Sequence, residues 1–226
     1  MLNDESMTGF TETCRLFPLP GLVLFPHAVL PLHIFEPRYR QMTEDALATD
    51  NLITMVQIKD KAFEQTRKEP IPIEEVGCLG KIMRYKRLPD GRFNLLLVGL
   101  KRIRIHAEIP GEKLYRIAAA EIVEDLPSEF AETRSRDLLV KRFRQGFRDE
   151  RKLDPDLCKL LESDAIALGA LTDIIANALE IPISLKQTLL AEPSVDRRVG
   201  LLLRALGEKE NSGRPARGFP PRFSLN

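Results

Sequence analysis

The stretch of sequence that decides the fold is Leu16-Phe17-Pro18-Leu19-Pro20-Gly21-Leu22-Val23-Leu24-Phe25-Pro26-His27-Ala28-Val29-Leu30-Pro31-Leu32-His33-Ile34-Phe35. These 20 residues include no Asp, Glu, Lys or Arg, and 20 residues is the length of a membrane helix. Four prolines argue against such a helix, because each lacks a backbone N–H that hydrocarbon cannot replace. We predict instead that the stretch is buried inside a soluble protein, as short extended pieces at Phe17–Leu19, Leu22–Phe25 and Val29–Ile34.

The composition is that of an ordinary globular protein. Hydrophobic residues make up 43% and charged residues 30% of the 226 positions, which argues against disordered, collagen-like and membrane classes. The 34 Lys and Arg nearly balance the 33 Asp and Glu, so net charge gives no attraction to nucleic acid or to an anionic membrane. Cys14, Cys78 and Cys158 are too widely spaced for a disulfide framework or a zinc knuckle, and we expect reduced thiols in a cytoplasmic protein.

Strand patterns dominate the chain as far as Val123. A single helix is predicted to start at Glu36-Pro37, because proline suits the first helical position. A polar, mobile loop is expected at Asp60–Glu75, followed by a hairpin that turns at Pro89-Asp90-Gly91. Polar and apolar residues alternate from Arg102 to Ile109, which predicts a half-exposed strand with its arginines toward solvent.

The hydrophobic period changes to 3.6 residues after Asp125-Leu126-Pro127-Ser128, which predicts a helical domain. Its helices are predicted to carry apolar stripes, which include Leu139, Phe143 and Phe147, then Leu168 and Leu171, and then Val199 and Leu202. Ser128 and Ser184 are predicted to cap helices, and the last helix is expected to end at Gly207. The predicted organisation is a flexible N-terminus at 1–14, a β-rich domain at 15–125, an α-helical bundle at 126–207 and a disordered tail at 208–226. The predicted fold class is therefore α+β.

The sequence lacks the motifs of the common catalytic sites. It contains no P-loop, no glycine-flanked serine of the G-x-S-x-G type, and no histidine spacing that suits a metal. We therefore predict no catalytic, cofactor-binding or metal-binding residues, and no enzymatic activity.

The proline-rich segments Phe17–Pro26 and Leu30–Tyr39 resemble the opening of the amino-terminal, substrate-recognition domain of the ATP-dependent Lon protease. Supporting matches are Gly77-Cys78-Leu79-Gly80 with Asp90-Gly91-Arg92, Val98–Ile105, Leu171–Ala176 and Lys186–Leu190. The resemblance spans about residues 15–206. It implies a β-rich, PUA-like pseudo-barrel followed by a helical bundle.

Lon proteases continue into ATPase and Ser-Lys peptidase domains, whereas this chain stops after the helical bundle. The resemblance therefore implies a non-catalytic module that binds unfolded or extended polypeptide segments, for presentation to a protease or chaperone. We expect no membrane partner, and the oligomeric state is left open. The candidate binding residues are His33, Glu36, Arg38, Tyr39, Arg84, Tyr85, Arg102 and Arg104.

Two of these groups have simpler interpretations. The Glu36–Tyr39 segment could be an ordinary helix start in which Arg38 pairs with a carboxylate. The hairpin at 81–104 carries eight basic residues and one acidic residue, which suggests RNA binding by a PUA-like domain as an alternative function. The same charges could instead form the solvated face of half-buried strands.

Overall fold

The computed structural model describes residues 10–59, 71–130, 132–146, 155–163, 165–212 and 224–225. These residues form seven strands and six helices, which confirms the predicted α+β class. Their contacts divide them into two compact units between Val123 and Glu124, with Ser224–Leu225 in the first unit. Most of the N-terminal segment predicted to be flexible and most of the predicted tail lie outside the described residues, as do residues 60–70 of the predicted mobile loop.

The described residues of the first unit form seven strands and a single helix. In chain order the elements are β1 (Thr13–Leu19), β2 (Val29–Ile34), α1 (Pro37–Leu47), β3 (Leu52–Gln57), β4 (Val76–Arg87), β5 (Phe93–Ile109), β6 (Ile117–Val123) and β7 (Ser224–Leu225). The strand order is β4-β3-β1-β6-β5-β2-β7, and β4 also pairs with β5. This additional pairing closes β4, β3, β1, β6 and β5 into a ring, as expected for a pseudo-barrel.

Apolar side chains fill the interior of the ring. The buried cluster comprises Cys14, Leu16, Leu52, Val56, Leu79, Leu100, Ile103, Ala118 and Ala120. The small alanines of β6 leave space for the larger leucines of the neighbouring strands, as is common inside small barrels. Burial raises the pKa of the Cys14 thiol to about 11, so this cysteine is a structural residue rather than a reactive one.

Most of the uncharged stretch that opens the domain is buried, as predicted, but only part of it forms strands. β1 begins earlier than expected, at Thr13, and β2 matches the predicted Val29–Ile34. Between them Gly21 adopts a left-handed conformation with φ of 68°, which turns the chain out of β1. The predicted piece Leu22–Phe25 is therefore an irregular segment, although Phe25 is completely buried.

This irregular segment is fixed to β5 at Gly99. The His27 N–H donates to the Gly99 carbonyl at 2.8 Å, and the Gly99 N–H donates to the Ala28 carbonyl at 2.9 Å. A Cβ atom at Gly99 would lie 2.1 Å from the Phe25 carbonyl oxygen, so only glycine permits this approach. Gly80 lies directly opposite Gly99 on β4.

Helix α1 starts at Pro37, as the sequence predicts, and packs against β3. Its buried face carries Tyr39, Met42 and Ala46. The Tyr39 ring lies 4.3 Å from that of Phe17, measured between centroids, and its hydroxyl donates to the Pro18 carbonyl at 3.3 Å. Tyr39 therefore anchors the helix to the proline-rich strand.

The second unit contains five helices among the described residues. They are α2 (Glu132–Gln145), α3 (Pro155–Glu162), α4 (Leu168–Ala178), α5 (Ile183–Ala191) and α6 (Val195–Ser212). The predicted apolar stripes of α2, α4 and α6 are buried, as at Leu139, Leu171 and Leu202. Phe147, which was predicted to extend the stripe of α2, lies outside the described residues.

The helix ends differ from the predictions. Ser128 does not cap α2; its hydroxyl instead donates to the Asp196 carboxylate at 2.5 Å. Ser184 is also not a cap, because α5 begins one residue earlier and its cap position is Pro182. Helix α6 continues through Gly207 to Ser212, since a glycine inside a helix weakens it without ending it.

A buried arginine connects three parts of the helical unit. Arg198 of α6 is 1% exposed, and its guanidinium donates to Asp173 of α4 at 2.8 Å and to Asp125 at 2.5 Å. A Cβ atom on Gly169 would come within 3.2 Å of the same guanidinium. Two carboxylates thus compensate the buried guanidinium, and removal of Asp173 would leave it with the partly exposed Asp125.

The close approach at Gly99 predicts a large stability loss for Gly99→Ala. We expect the free energy of unfolding to fall by about 3 kcal/mol, because the new methyl group must displace the backbone of Phe25. Chemical denaturation followed by circular dichroism measures this change. Gly111→Ala is the matched control, since no atom lies within 4 Å of its Cβ position. Equal stabilities for the two variants would contradict the assignment of Gly99 as a required contact.

The arginine network predicts a second difference in stability. Asp173→Ala should lower the free energy of unfolding by about 3–5 kcal/mol, because the Arg198 guanidinium stays buried but loses the carboxylate that is buried with it. Glu162→Ala, which removes an exposed partner of Arg144, should cost less than about 1 kcal/mol. Urea titrations of both variants give the comparison. A loss below 1 kcal/mol for Asp173→Ala would show that the pair contributes no more than a surface one.

Candidate functional site

The open part of the first unit is a three-stranded sheet formed by β2, the first half of β5 and the second half of β4. The pairing places their residues in three rows across the strands, and paired residues on neighbouring strands share a face. We call one face of this sheet the distal platform. Its rows are Val29–Val98–Lys81, Pro31–Leu96–Arg84 and His33–Asn94–Lys86.

The two faces of this sheet have opposite environments. The face opposite the platform is buried across β2 and β5, at Leu30, Leu32, Ile34, Phe93, Leu95 and Leu97. Every residue of the distal platform is half-buried or exposed, including the apolar Val29, Leu96 and Val98. The platform therefore presents apolar surface between basic side chains, which is the composition of a surface that binds other molecules.

His33 is held in one orientation at the end of the platform. Its Nδ1 lies 2.6 Å from Asn94 Oδ1, and Arg92 Nη1 lies 3.4 Å from its Nε2. Because a guanidinium can only donate, Nε2 accepts and Nδ1 carries the proton that is donated to Asn94. The ring also stacks on Phe35, with centroids 6.2 Å apart. The ring thus presents a fixed, flat surface at the edge of the sheet.

The Glu36–Arg38 pair lies at the start of α1. Arg38 Nε donates to Glu36 Oε2 at 3.0 Å, and both side chains are largely accessible. The Arg38 guanidinium also lies 4.6 Å above the Tyr39 ring centroid. Tyr39 itself is only 4% exposed, and burial raises the pKa of its phenol. The segment is thus the ion-paired helix start considered above, and Tyr39 is a core residue rather than a surface one.

The hairpin residues that the sequence predicts as binding residues do not all lie on one surface. Arg84 lies on the distal platform, in the row next to His33. Tyr85 is 57% exposed but shares the opposite face with Leu95. Arg104 is on the far half of β5, where it pairs with Glu121 at 3.3 Å. The sequence thus groups side chains that the structure separates onto two faces and two ends of the hairpin.

Arg102 corrects the predicted alternation of β5. It was expected to face solvent, but it is 3% exposed, and its neighbour Ile103 is also buried. Strand β5 has a register shift against β6 between Ile105 and Ala107, and it pairs with β4 on its other side. Because β5 has neighbouring strands on both sides and an irregular register, the alternation of polar and apolar residues does not predict which of its side chains are exposed.

Local ion pairs neutralise much of the basic charge on the hairpin. Arg87 contacts Glu44 at 3.0 Å, and Arg92 contacts Asp90 at 2.5 Å. With Arg104 paired to Glu121 and Arg102 buried, half of the eight basic residues are either neutralised by carboxylates or inaccessible. These arrangements favour the solvated-face interpretation of the hairpin over a continuous phosphate-binding track.

Sequence reasoning missed the apolar half of the distal platform. Asn94, Leu96 and Val98 occur within a run that is apolar on both faces, so the pattern alone does not distinguish the exposed face from the buried one. A signal was present in Pro31, because proline within a sheet is confined to edge strands or strand ends. It places β2 at the sheet edge and makes its half-buried side chains candidates for a binding surface.

The described ranges contain no group of three His, Cys, Asp or Glu side chains that could hold a metal ion. None of the helices in the described part of the chain is long and apolar enough to cross a membrane.

Comparison with known proteins decides the family. A family model for the ATP-dependent protease La (LON) substrate-binding domain matches residues 13–208. The chain belongs to this family. The Lon protease of Heliobacterium modesticaldum is 28% identical over 212 residues, and that of Azospirillum brasilense is 30% identical over 189 residues. These alignments cover 92% and 81% of this chain but 25% and 23% of the relatives, so this Lon substrate-binding domain spans about a quarter of their length.

Solved structures agree with the fold of a Lon substrate-binding domain. The Lon N-terminal domain protein from Xanthomonas campestris gives a TM-score of 0.63 at 22% identity, over 85% of this chain and 97% of that one. The N-terminal domain of the Mycobacterium avium complex Lon protease gives 0.60 at 15% identity, over 87% and 98%. The resemblance identified from the proline-rich stretch is thereby confirmed.

The burial of Arg102 predicts that adjacent arginines of this Lon substrate-binding domain differ in their contribution to stability. Arg102→Ala should lower the free energy of unfolding by about 2 kcal/mol or more, because it removes a large buried side chain. Arg104→Ala removes an exposed ion pair and should cost less than about 1 kcal/mol. Thermal and urea unfolding of both variants provide the test. The reverse order would place Arg102, not Arg104, on the surface.

Proposed function

We propose that the chain is a non-catalytic module that binds unfolded or extended segments of other polypeptides and presents them to a protease or chaperone. The observation that carries this proposal is the distal platform, an open sheet face with apolar and basic side chains in a Lon substrate-binding domain. A binding function for the chain requires an accessible surface of this kind, because its barrel interior is filled by its own side chains.

The platform suits an extended polypeptide on physical grounds. Val29, Leu96 and Val98 can bury apolar side chains of a bound segment, which an unfolded protein exposes and a folded one hides. Arg84 and Lys86 at its margin can attract carboxylates and keep the free surface hydrated. His33 fixes the end of the surface through its bond to Asn94. Glu36 and Arg38 extend the proposed surface beyond β2 along the same chain.

Two further aspects of the proposal concern organisation and location. The division of contacts between Val123 and Glu124 supports separate β-rich and helical domains close to the predicted boundary at 125. Cys14, Cys78 and Cys158 are free, which supports a reducing compartment, and we propose the cytoplasm.

Leu96→Gln tests the proposed surface. The change should weaken binding to an unfolded client, reduced and carboxymethylated α-lactalbumin, by about tenfold, or 1.4 kcal/mol, because it removes apolar contact at the centre of the platform. Leu114→Gln is the matched control, since Leu114 is an exposed leucine of the same unit that lies on no strand of the platform. Fluorescence anisotropy of the labelled client gives both dissociation constants.

Circular dichroism and thermal unfolding establish that both variants remain folded. The client should also stay intact during incubation with the wild-type protein and ATP, as expected for a module without catalysis. Equal affinity in the two variants would exclude the platform as the binding surface. Failure of the wild-type protein to bind any unfolded client would overturn the proposed function itself.

A further inference from the structure

The outer edge of β2 is occupied by another part of the same chain. β2 pairs with β5 along all six of its residues, and on its other side it pairs with β7 at only two positions. The partners there are Leu32 with Ser224 and His33 with Leu225, in parallel orientation. The C-terminal segment thus forms a short added strand, which is how extended peptides bind to an exposed sheet edge.

At Leu32 and His33 the backbone of β2 already has the geometry that a partner strand requires. Leu32 is fully buried on the face opposite the platform, and the His33 side chain is fixed by Asn94. Their backbone groups are therefore held in extended geometry before any partner arrives, which lowers the entropic cost of pairing. Pro31 has no N–H to donate, so a partner strand gains hydrogen bonds most readily beyond it, where β7 pairs.

The pairing of β7 is short enough to be reversible. Two register positions supply few hydrogen bonds, so the net contribution of the pairing to stability is small. Parallel pairing is also slightly less stable per residue than antiparallel pairing. Covalent attachment compensates for this weakness, because a tethered segment binds without the loss of translational freedom that a separate peptide incurs. A longer segment from another protein can therefore compete with the chain's own C-terminal residues.

We propose that the β2 edge at Leu32–His33 is a strand-addition site for an extended polypeptide segment, and that Ser224–Leu225 occupies it as an internal competitor. This inference rests on the proposed function and names the backbone edge through which a client is held. A client that binds at this edge displaces β7 and lies beside the distal platform, where its side chains on that face can contact Pro31 and His33. Occupancy by the chain's own residues lowers the apparent affinity for clients.

The test removes the competitor without shortening the chain. Ser224→Pro combined with Leu225→Pro eliminates both backbone donors of β7, whereas Ser224→Ala combined with Leu225→Ala keeps them and is the matched control. The probe is a fluorescent peptide with the sequence of residues 219–226, Phe-Pro-Pro-Arg-Phe-Ser-Leu-Asn. The proline variant should bind this peptide about threefold more tightly than the control, as expected if the edge is occupied two thirds of the time.

Hydrogen exchange provides a readout at the site. Amides in the segment Leu30–Ile34 should exchange faster in the proline variant than in the alanine control, and added peptide should restore their protection. Equal peptide affinities and equal exchange in the two variants, with binding of carboxymethylated α-lactalbumin intact, would overturn the strand-addition site and leave the proposed function standing. No binding of that client by any form of the protein would overturn both.

Sedimentation velocity separates pairing within one molecule from pairing between two. A dimer in the alanine control that becomes a monomer in the proline variant would show that β7 pairs with a second copy, which would overturn the assignment as an internal competitor. The same mass for both variants, together with the expected gain in peptide affinity, supports it.

Discussion

Strand β5 runs from the closed ring into the open part of the same sheet, and the backbone contact at Gly99 is the constraint on which this arrangement depends. The first half of β5 pairs with β2 and β4, and its second half pairs with β6 and β4. At the junction, the segment from Phe25 to Ala28 lies directly on Gly99. Two backbone hydrogen bonds join this segment to Gly99. A side chain there would separate the proline-rich segment from the sheet, and both the closed ring and the open sheet would lose a common anchor.

This constraint explains why the molecule has a surface that can bind other molecules. The barrel interior is filled by its own apolar cluster. Because β4 and β5 continue beyond the ring, one face of their hairpin is covered by the protein's own core and the other stays open. The accessible apolar surface of the exposed Val29 and the half-buried Leu96 and Val98 is an unfavourable feature for an isolated domain, and the basic side chains around it keep that face hydrated.

The charged side chains around the distal platform contribute to the selectivity of binding more than to its affinity. Arg87, Arg92 and Arg104 are each paired with a nearby carboxylate, so the hairpin is less basic than its sequence suggests. The buried network around Arg198 serves a different purpose, since it fixes α4 and α6 within the helical unit through compensated charges. The proposed β2 edge site adds a third kind of recognition. Its backbone groups select a bound segment for its extended conformation and not for its side chains.

The sequence by itself determined the α+β class, the family, the helix at Pro37, the hairpin and most apolar faces, because these follow from proline positions, turn residues and local periodicity. It misplaced Tyr39 and Arg102 on the surface, since the burial of a residue depends on which distant elements pack against it. Only the tertiary structure decided that His33 and Arg84 share a platform while Tyr85 and Arg104 do not, and that the chain's last residues pair with β2. Strand register and edge occupancy arise from contacts between residues far apart in the chain, and local sequence does not encode those distances.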